Sequence, residues 1–128
     1  MPSKKVFFWL AALAATDQLS KYFIPQNYVT KNSGLPFGIT SPGFFSLAVI
    51  AVLLAVFVIL YFRFFRPVSF GFALITAGAL SNLIDRVHFG YVRDFINIGM
   101  ATMNLADVMI WGGIIILILK SETRSTKY

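Results

Sequence analysis

The chain contains no cysteine. Disulfides, thiolate nucleophiles and thiolate metal sites are therefore excluded, and the redox compartment stays open. Histidine is nearly absent too: His88 stands alone, so a metal would have to lean on carboxylates and amides, and neither a metal nor another cofactor is expected. A serine mechanism would have to pair His88 with Ser20, Ser33 or Ser81, none of which occupies a recognisable nucleophile setting. Charge is scarce, at 12% of 128 residues, and no internal repeat or low-complexity tract interrupts the chain. No room is left for a separate soluble domain.

What is present is apolar. Hydrophobic residues make up 58% of the chain and the mean hydropathy is +0.77. Four apolar stretches, about 6–24, 44–62, 68–87 and 101–119, each approach the roughly 20 residues that cross a hydrocarbon layer of about 30 Å. The spacing predicts a single all-α membrane domain of four transmembrane helices. Lys4 and Lys5 before the first stretch imitate a signal peptide, but the run is long and ends in Asp17-Gln18-Leu19-Ser20-Lys21 without a small-residue cleavage pattern, so it reads as a retained helix. Aromatic clusters such as Phe7-Phe8-Trp9, Phe44-Phe45 and Tyr61-Phe62 mark interface belts.

The net charge of +6 would point to nucleic acid in a soluble protein. Here the cations sort by membrane side. Lys4, Lys5, Arg63, Arg66, Lys120, Arg124 and Lys127 fall on one side, and Lys21, Lys31, Arg86 and Arg93 on the other. Seven against four places both termini in the cytoplasm, with topology and lipid headgroups, not nucleic acid, accounting for the bases.

Four of the five acidic residues, Asp17, Asp85, Asp94 and Asp107, stand in or at the ends of apolar stretches. A carboxylate in the bilayer core costs roughly 2.5 to 3.5 kcal/mol on insertion scales, so their placement asks for a function. The orientation gathers all four on the exoplasmic side. Two polar loops cap that side. The first, Pro25 to Gly43, holds Pro36, Pro42 and a Tyr28-Val29-Thr30 stretch suited to an extended edge; the second, His88 to Met100, alternates through Tyr91-Val92-Arg93-Asp94-Phe95-Ile96 and would hold Asp94 over the helix ends.

Spacing pairs the polar groups. Asp17 and Lys21, four apart, share a helix face, where a salt bridge near the interface is favoured over direct catalysis. Gln18 and Ser20 could add hydrogen bonds. Asn82, Asp85 and Arg86 present an amide, a carboxylate and a guanidinium on one face, open to either an internal ion-pair network or a substrate carbonyl or lipid phosphate. Asn104 reads as an N-cap, with Asp107 in the first turn behind it. If Asp94 arrives from the adjoining loop, two carboxylates meet in a poorly hydrated cleft, one keeps its proton, and the pair can do aspartic-protease chemistry on a peptide bond.

At these residues the chain resembles the lipoprotein signal peptidases, or signal peptidase II family. Five motifs match in order: Asp17-Gln18-x-Ser20-Lys21, Asn32-x-Gly34-x-x-Phe37-Gly38, Gly78-Ala79-Leu80-x-Asn82-x-Ile84-Asp85-Arg86, Val92-x-Asp94-Phe95 and Asn104-x-Ala106-Asp107. The resemblance implies a bacterial inner-membrane aspartic endopeptidase with Asp94 and Asp107 as the catalytic dyad. It also implies that Asp17, Lys21, Asn32, Gly34, Asn82, Asp85, Arg86 and Asn104 position the dyad, the substrate or the structure. The implied substrate is a prolipoprotein carrying diacylglycerol on its lipobox cysteine and cut just before it; membrane lipid is the other partner, and a monomer is expected. Against the family pattern the chain is short between Lys21 and Asn32 and between Asp94 and Asp107. Ala77 and Ser81 stand where glycine is usual, and Met103 where phenylalanine is usual.

Two other readings compete. A small four-helix transporter would carry its key acid near mid-bilayer, whereas Asp94 is in a loop and Asp107 near a helix end. A catalytically altered, lipid-binding homologue could use the same rim, which the presence of both Asp94 and Asp107 disfavours.

Overall fold

A computed structural model describes residues 4–34, 43–64 and 68–126. Phe37 and Gly38 of the second motif, together with Pro36, Pro42, Arg66 and Lys127, lie outside the described residues. Four long helices, α1 (Lys4–Phe23), α2 (Gly43–Phe64), α3 (Phe70–Phe89) and α4 (Leu105–Ser125), are joined by four short strands, β1 (Thr30–Asn32), β2 (Val92–Asp94), β3 (Ile96–Asn97) and β4 (Thr102–Met103).

α3 is the hub. It packs along α4 and against α1 and α2, whereas α1 and α4 touch only slightly. The α3–α4 seam closes on glycine: a Cβ at Gly78 would lie 2.5 Å from the Ala106 carbonyl oxygen, and one at Gly113 would lie 2.6 Å from the Gly71 oxygen. Such small positions let two backbones approach where side chains would hold them apart. α2 is held to α3 by aromatic rings, with Phe72 4.3 Å from Tyr61 and 5.7 Å from Phe57 between centroids.

α2 is apolar on its outer faces as well. Its mean hydropathy is 2.9, and Val52, Leu53, Ile59 and Phe64 are all exposed. An exposed helix that is apolar all round fits a lipid surrounding. α2 over Phe44–Phe64 and α3 over Phe70–Phe89 are long and apolar enough to cross a membrane.

Local signals explain the ends. Ser69 caps α3 by accepting from the Phe72 amide at 3.4 Å, while the Tyr61 hydroxyl donates to Ser69 Oγ at 2.8 Å. Gly90, at φ 79°, ends α3 in the left-handed conformation that a residue with a Cβ resists, and its amide donates to the Arg86 carbonyl.

Two expectations about elements change. α4 begins at Leu105, not Ala101, because Thr102 and Met103 pair as β4 with β3 (Asn97↔Thr102, Ile96↔Met103). Hydropathy alone does not separate a short apolar strand from the first turn of a helix. In the first outer loop, Gln26–Tyr28 form a single 3₁₀ turn and the strand starts at Thr30, where β2 supplies a partner: Thr30↔Asp94, Lys31↔Arg93 and Asn32↔Val92. Asp94 thus stands on a strand that is pinned between the first outer loop and the helix ends.

Candidate active site

The site grows from the start of α4. Asn104 and Asp107 form a capping box, the Asn104 side chain accepting from the Asp107 amide and the Asp107 carboxylate accepting from the Asn104 amide, each at 3.0 Å. The cap leaves the Asn104 Nδ2 protons free to point backwards. They donate to Asp94 Oδ1 at 3.0 Å and to Asn82 Oδ1 at 2.9 Å. Asn82 in turn donates to Asp107 Oδ1 at 3.0 Å. One buried asparagine therefore bonds both Asp94 and Asp107.

Asp94 accepts two more bonds on its other oxygen, from Asn32 Nδ2 at 3.1 Å and Thr102 Oγ1 at 3.3 Å. Burial pushes its carboxyl up to about 6. The bond from Asn32 opposes that rise, and the neighbouring negative charge of Asp107 adds to it. Asn32 itself is fixed by accepting from the Gly34 amide at 3.2 Å. The strand that carries Asn32 thereby sets one wall of the site.

A second cluster supports the first. Lys21 Nζ lies 2.6 Å from Asp17 and 3.2 Å from Asp85, all three fully buried, and also donates to Asn82 Oδ1 at 3.2 Å. Asp17 further accepts from Ser81 Oγ at 2.6 Å and from the Ala106 amide at 2.7 Å. The expected salt bridge between Asp17 and Lys21 is present, and it is buried within the bundle, where it ties α1 to α3 and to the first turn of α4. Asp85 does not face Arg86. It receives Arg93 at 2.8 Å and Gln18 at 2.9 Å, because its helix face turns to β2 and α1.

Arg86 is the odd member. Its Nη2 donates to the Gly34 carbonyl at 2.8 Å, while Nε and Nη1, both buried, meet no acceptor among the described residues. Unpaired buried donors of this kind are uncommon and costly. Of the expected site residues, the structure joins Asp17, Lys21, Asn32, Asn82, Asp85, Asp94, Asn104 and Asp107 into one connected network, with Gly34 and Arg86 paired at its edge.

The sequence reading missed Arg93 and Thr102 as site members. Arg93 was available as the residue that, on an alternating strand, must face away from Asp94; nothing in the sequence marked Thr102. None of the three serine alternatives gains support, and among the described residues Ser33 is met only at its carbonyl, by Ser46 Oγ at 3.5 Å. Ser20 donates to the Asp17 carbonyl, Ser81 to the Asp17 carboxylate, and His88 stands edge-on to Phe89 at 4.6 Å. His88 lines a groove of about 400 Å³ with Gln18, Leu19, Tyr22, Ile84, Phe89 and Arg93, and no acidic side chain is among these described lining residues.

Comparison with known proteins agrees with the motifs. The family model described as signal peptidase (SPase) II matches residues 9–123. A lipoprotein signal peptidase of Moorella thermoacetica is 35% identical, the match covering 87% of this chain and 89% of that protein. Another from Trichormus variabilis is 35% identical over 98% of this chain and 95% of the relative. Two solved bacterial membrane enzymes share the fold. One has a TM-score of 0.77 at 22% identity, covering 96% of this chain and 90% of that one; the other has 0.68 at 24%, covering 91% of each. With a family match over most of its length and relatives well above chance identity, the chain belongs to the signal peptidase II family.

Proposed function

We propose that the chain is a membrane aspartic endopeptidase that removes signal peptides from diacylglyceryl-modified prolipoproteins, cutting before the lipidated cysteine, with Asp94 and Asp107 as the catalytic pair. The observation that carries this reading is the single Asn104 side chain bonded to both carboxylate-bearing residues. Charge balance supports it. Asp17, Asp85, Asp94 and Asp107 face three cations, Lys21, Arg86 and Arg93, all of them buried apart from the partly enclosed Asp107. One proton on the carboxylates brings the cluster to neutrality, which is the state in which one acid activates water and its partner donates to the developing oxyanion.

Substrate contacts follow from what is left unpaired. Nε and Nη1 of Arg86, without an acceptor among the described residues, suit a peptide carbonyl near the scissile bond, and Gly34 borders the same place. The diacylglyceryl chains lie in the bilayer against the exposed apolar helices, each buried CH₂ contributing about 0.8 kcal/mol to holding the peptide at the dyad. All four helices span the bacterial inner membrane, both termini lie in the cytoplasm by the distribution of Lys and Arg, and the Asp94 end is exoplasmic. The enzyme works as a monomer.

The test is cleavage of one precursor in lipidated and unlipidated forms by the parent chain, Asp94→Asn and Asp107→Asn in proteoliposomes. Each replacement should lower turnover of the lipidated form by at least about a hundredfold with the protein still folded. Turnover retained by either variant would overturn the assignment, and equal cleavage of both precursors would overturn lipid recognition.

A further inference from the structure

We propose that Arg93, resting on the reading of Asp94 as a catalytic acid, is a positioning residue that sets where Asp94 stands relative to Asp107. Asp107 sits on a helix, within a capping box, and its place follows from α4. Asp94 has no such frame. β2 is three residues long, and a two-stranded ribbon is only marginally stable by itself. Something else has to fix it.

On a strand, neighbouring side chains point to opposite faces. Asp94 faces Asn32, Thr102 and Asn104, so Arg93 faces the other way, onto α3 and α1. There it is held at every polar position it offers but one. Its Nη2 donates to Asp85 Oδ1 at 2.8 Å and its Nε to Asp85 Oδ2 at 3.3 Å, a two-pronged grip on one carboxylate. Nη2 also reaches Gln18 Oε1 at 2.7 Å. The Arg93 amide donates to Asp85 Oδ2 at 3.0 Å, and its carbonyl accepts from Asn104 Nδ2 at 3.4 Å. The guanidinium rests 4.5 Å from the centre of the Phe89 ring.

The planar fork is what makes this an anchor. Two parallel bonds to one carboxylate fix an angle as well as a distance, which a lysine ammonium cannot do. Asp85 is itself fully buried and paired with Lys21 at 3.2 Å. The carboxylate on α3 therefore grips the residue next to Asp94 through both main chain and side chain, and ties it to α1 through Gln18. An acid misplaced by about 1 Å loses on the order of a hundredfold in rate, although substrate still binds.

Arg93→Met keeps the unbranched apolar stem of the side chain and removes the charged fork, while Asp85 retains Lys21, Gln18 and the amide of residue 93. Two readouts are needed on the full chain in micelles: steady-state cleavage of a lipidated precursor, and hydrogen exchange of the segment 91–96. The expected result is a tenfold to hundredfold fall in kcat with KM within about twofold, together with at least about tenfold faster exchange in 91–96 and unchanged exchange along α4. Arg93→Lys, which keeps the charge and one contact, should fall between, and it carries the same test if the methionine variant does not fold. Unchanged exchange in 91–96, or parental kcat, or a rise in KM at constant kcat, would overturn the proposal. Cleavage by Asp94→Asn would instead sink the catalytic reading of Asp94, and the exchange measurement would then still decide whether Arg93 anchors the strand.

Discussion

Asn104 and Asp107 bind each other twice, side chain to main chain in both directions at 3.0 Å, and the amide protons left over on Asn104 go to Asp94 and Asn82. The cap and the bridge are separable by mutation. Asn104→Ser keeps an N-cap oxygen and loses the amide that reaches Asp94, so its melting temperature in micelles should stay close to the parent while turnover falls at least about tenfold. Asn104→Ala loses both and should also lose about 1 kcal/mol of stability. A serine variant with full turnover would show that the bridge to Asp94 is dispensable.

Lys21 is the only cation that touches both Asp17 and Asp85 among the described residues. Lys21→Met leaves two buried carboxylates facing each other with their shared counter-charge gone, a change that typically costs about 3 to 5 kcal/mol. Asp17→Asn keeps the shape but weakens the pull on Lys21 and on the Ala106 amide, so it should chiefly lower stability. The double variant Lys21→Met, Asp17→Asn should recover part of the loss in chemical or thermal melting. If the double variant is no more stable than Lys21→Met alone, the buried charge is not the source of the cost.

Asp94 gives the protein a pH dependence of definite sign. Its carboxyl ionises near 6 in the folded chain instead of 3.8, so the folded state holds this proton more tightly than the unfolded one. Stability from this group is therefore full below about pH 4, declines as the pH rises through the window between 4 and 6, and is flat above it. The rise from 3.8 to about 6 corresponds to about 3 kcal/mol. Asp94→Asn should remove that slope, so that the difference in melting temperature between parent and variant changes between about pH 4 and pH 6 and not beyond. Parallel curves across the whole range would contradict a raised Asp94.

Much of the candidate site's local pairing was legible in the sequence, and what was not has a physical reason. Asn104 and Asp107 were readable as a cap because capping depends on residues three apart. Asp17 and Lys21 were readable as a pair because a helix places positions four apart together, but their burial was not, since it depends on α3 and α4 arriving from more than 60 residues away. Asp85 and Arg86 share a helix segment yet turn to different partners, and only the position of β2 decides that Asp85 goes to Arg93. The early start assigned to α4 failed for the same reason: Thr102 and Met103 look like helix until β3 is present to pair with them.

The α3–α4 seam offers a way to move the site without touching a polar group. At Gly78 an added Cβ would meet the Ala106 carbonyl oxygen at 2.5 Å, which is backbone and cannot turn aside. Gly78→Ala should push the two helices apart one turn below Asn82 and next to the Ala106 and Asp107 amides, costing about 1 to 3 kcal/mol and lengthening the bonds that align Asn82, Asn104 and Asp107. Gly112 on the same helix as Asp107 has nothing within 4 Å of its would-be Cβ, so Gly112→Ala should be neutral or stabilising by up to about 1 kcal/mol through helix propensity alone. The pair is measured by melting in micelles and by cleavage rate. Loss of turnover in Gly78→Ala with normal turnover in Gly112→Ala ties activity to the spacing of α3 and α4, because both variants add the same methyl group and only one of them has a backbone in its way.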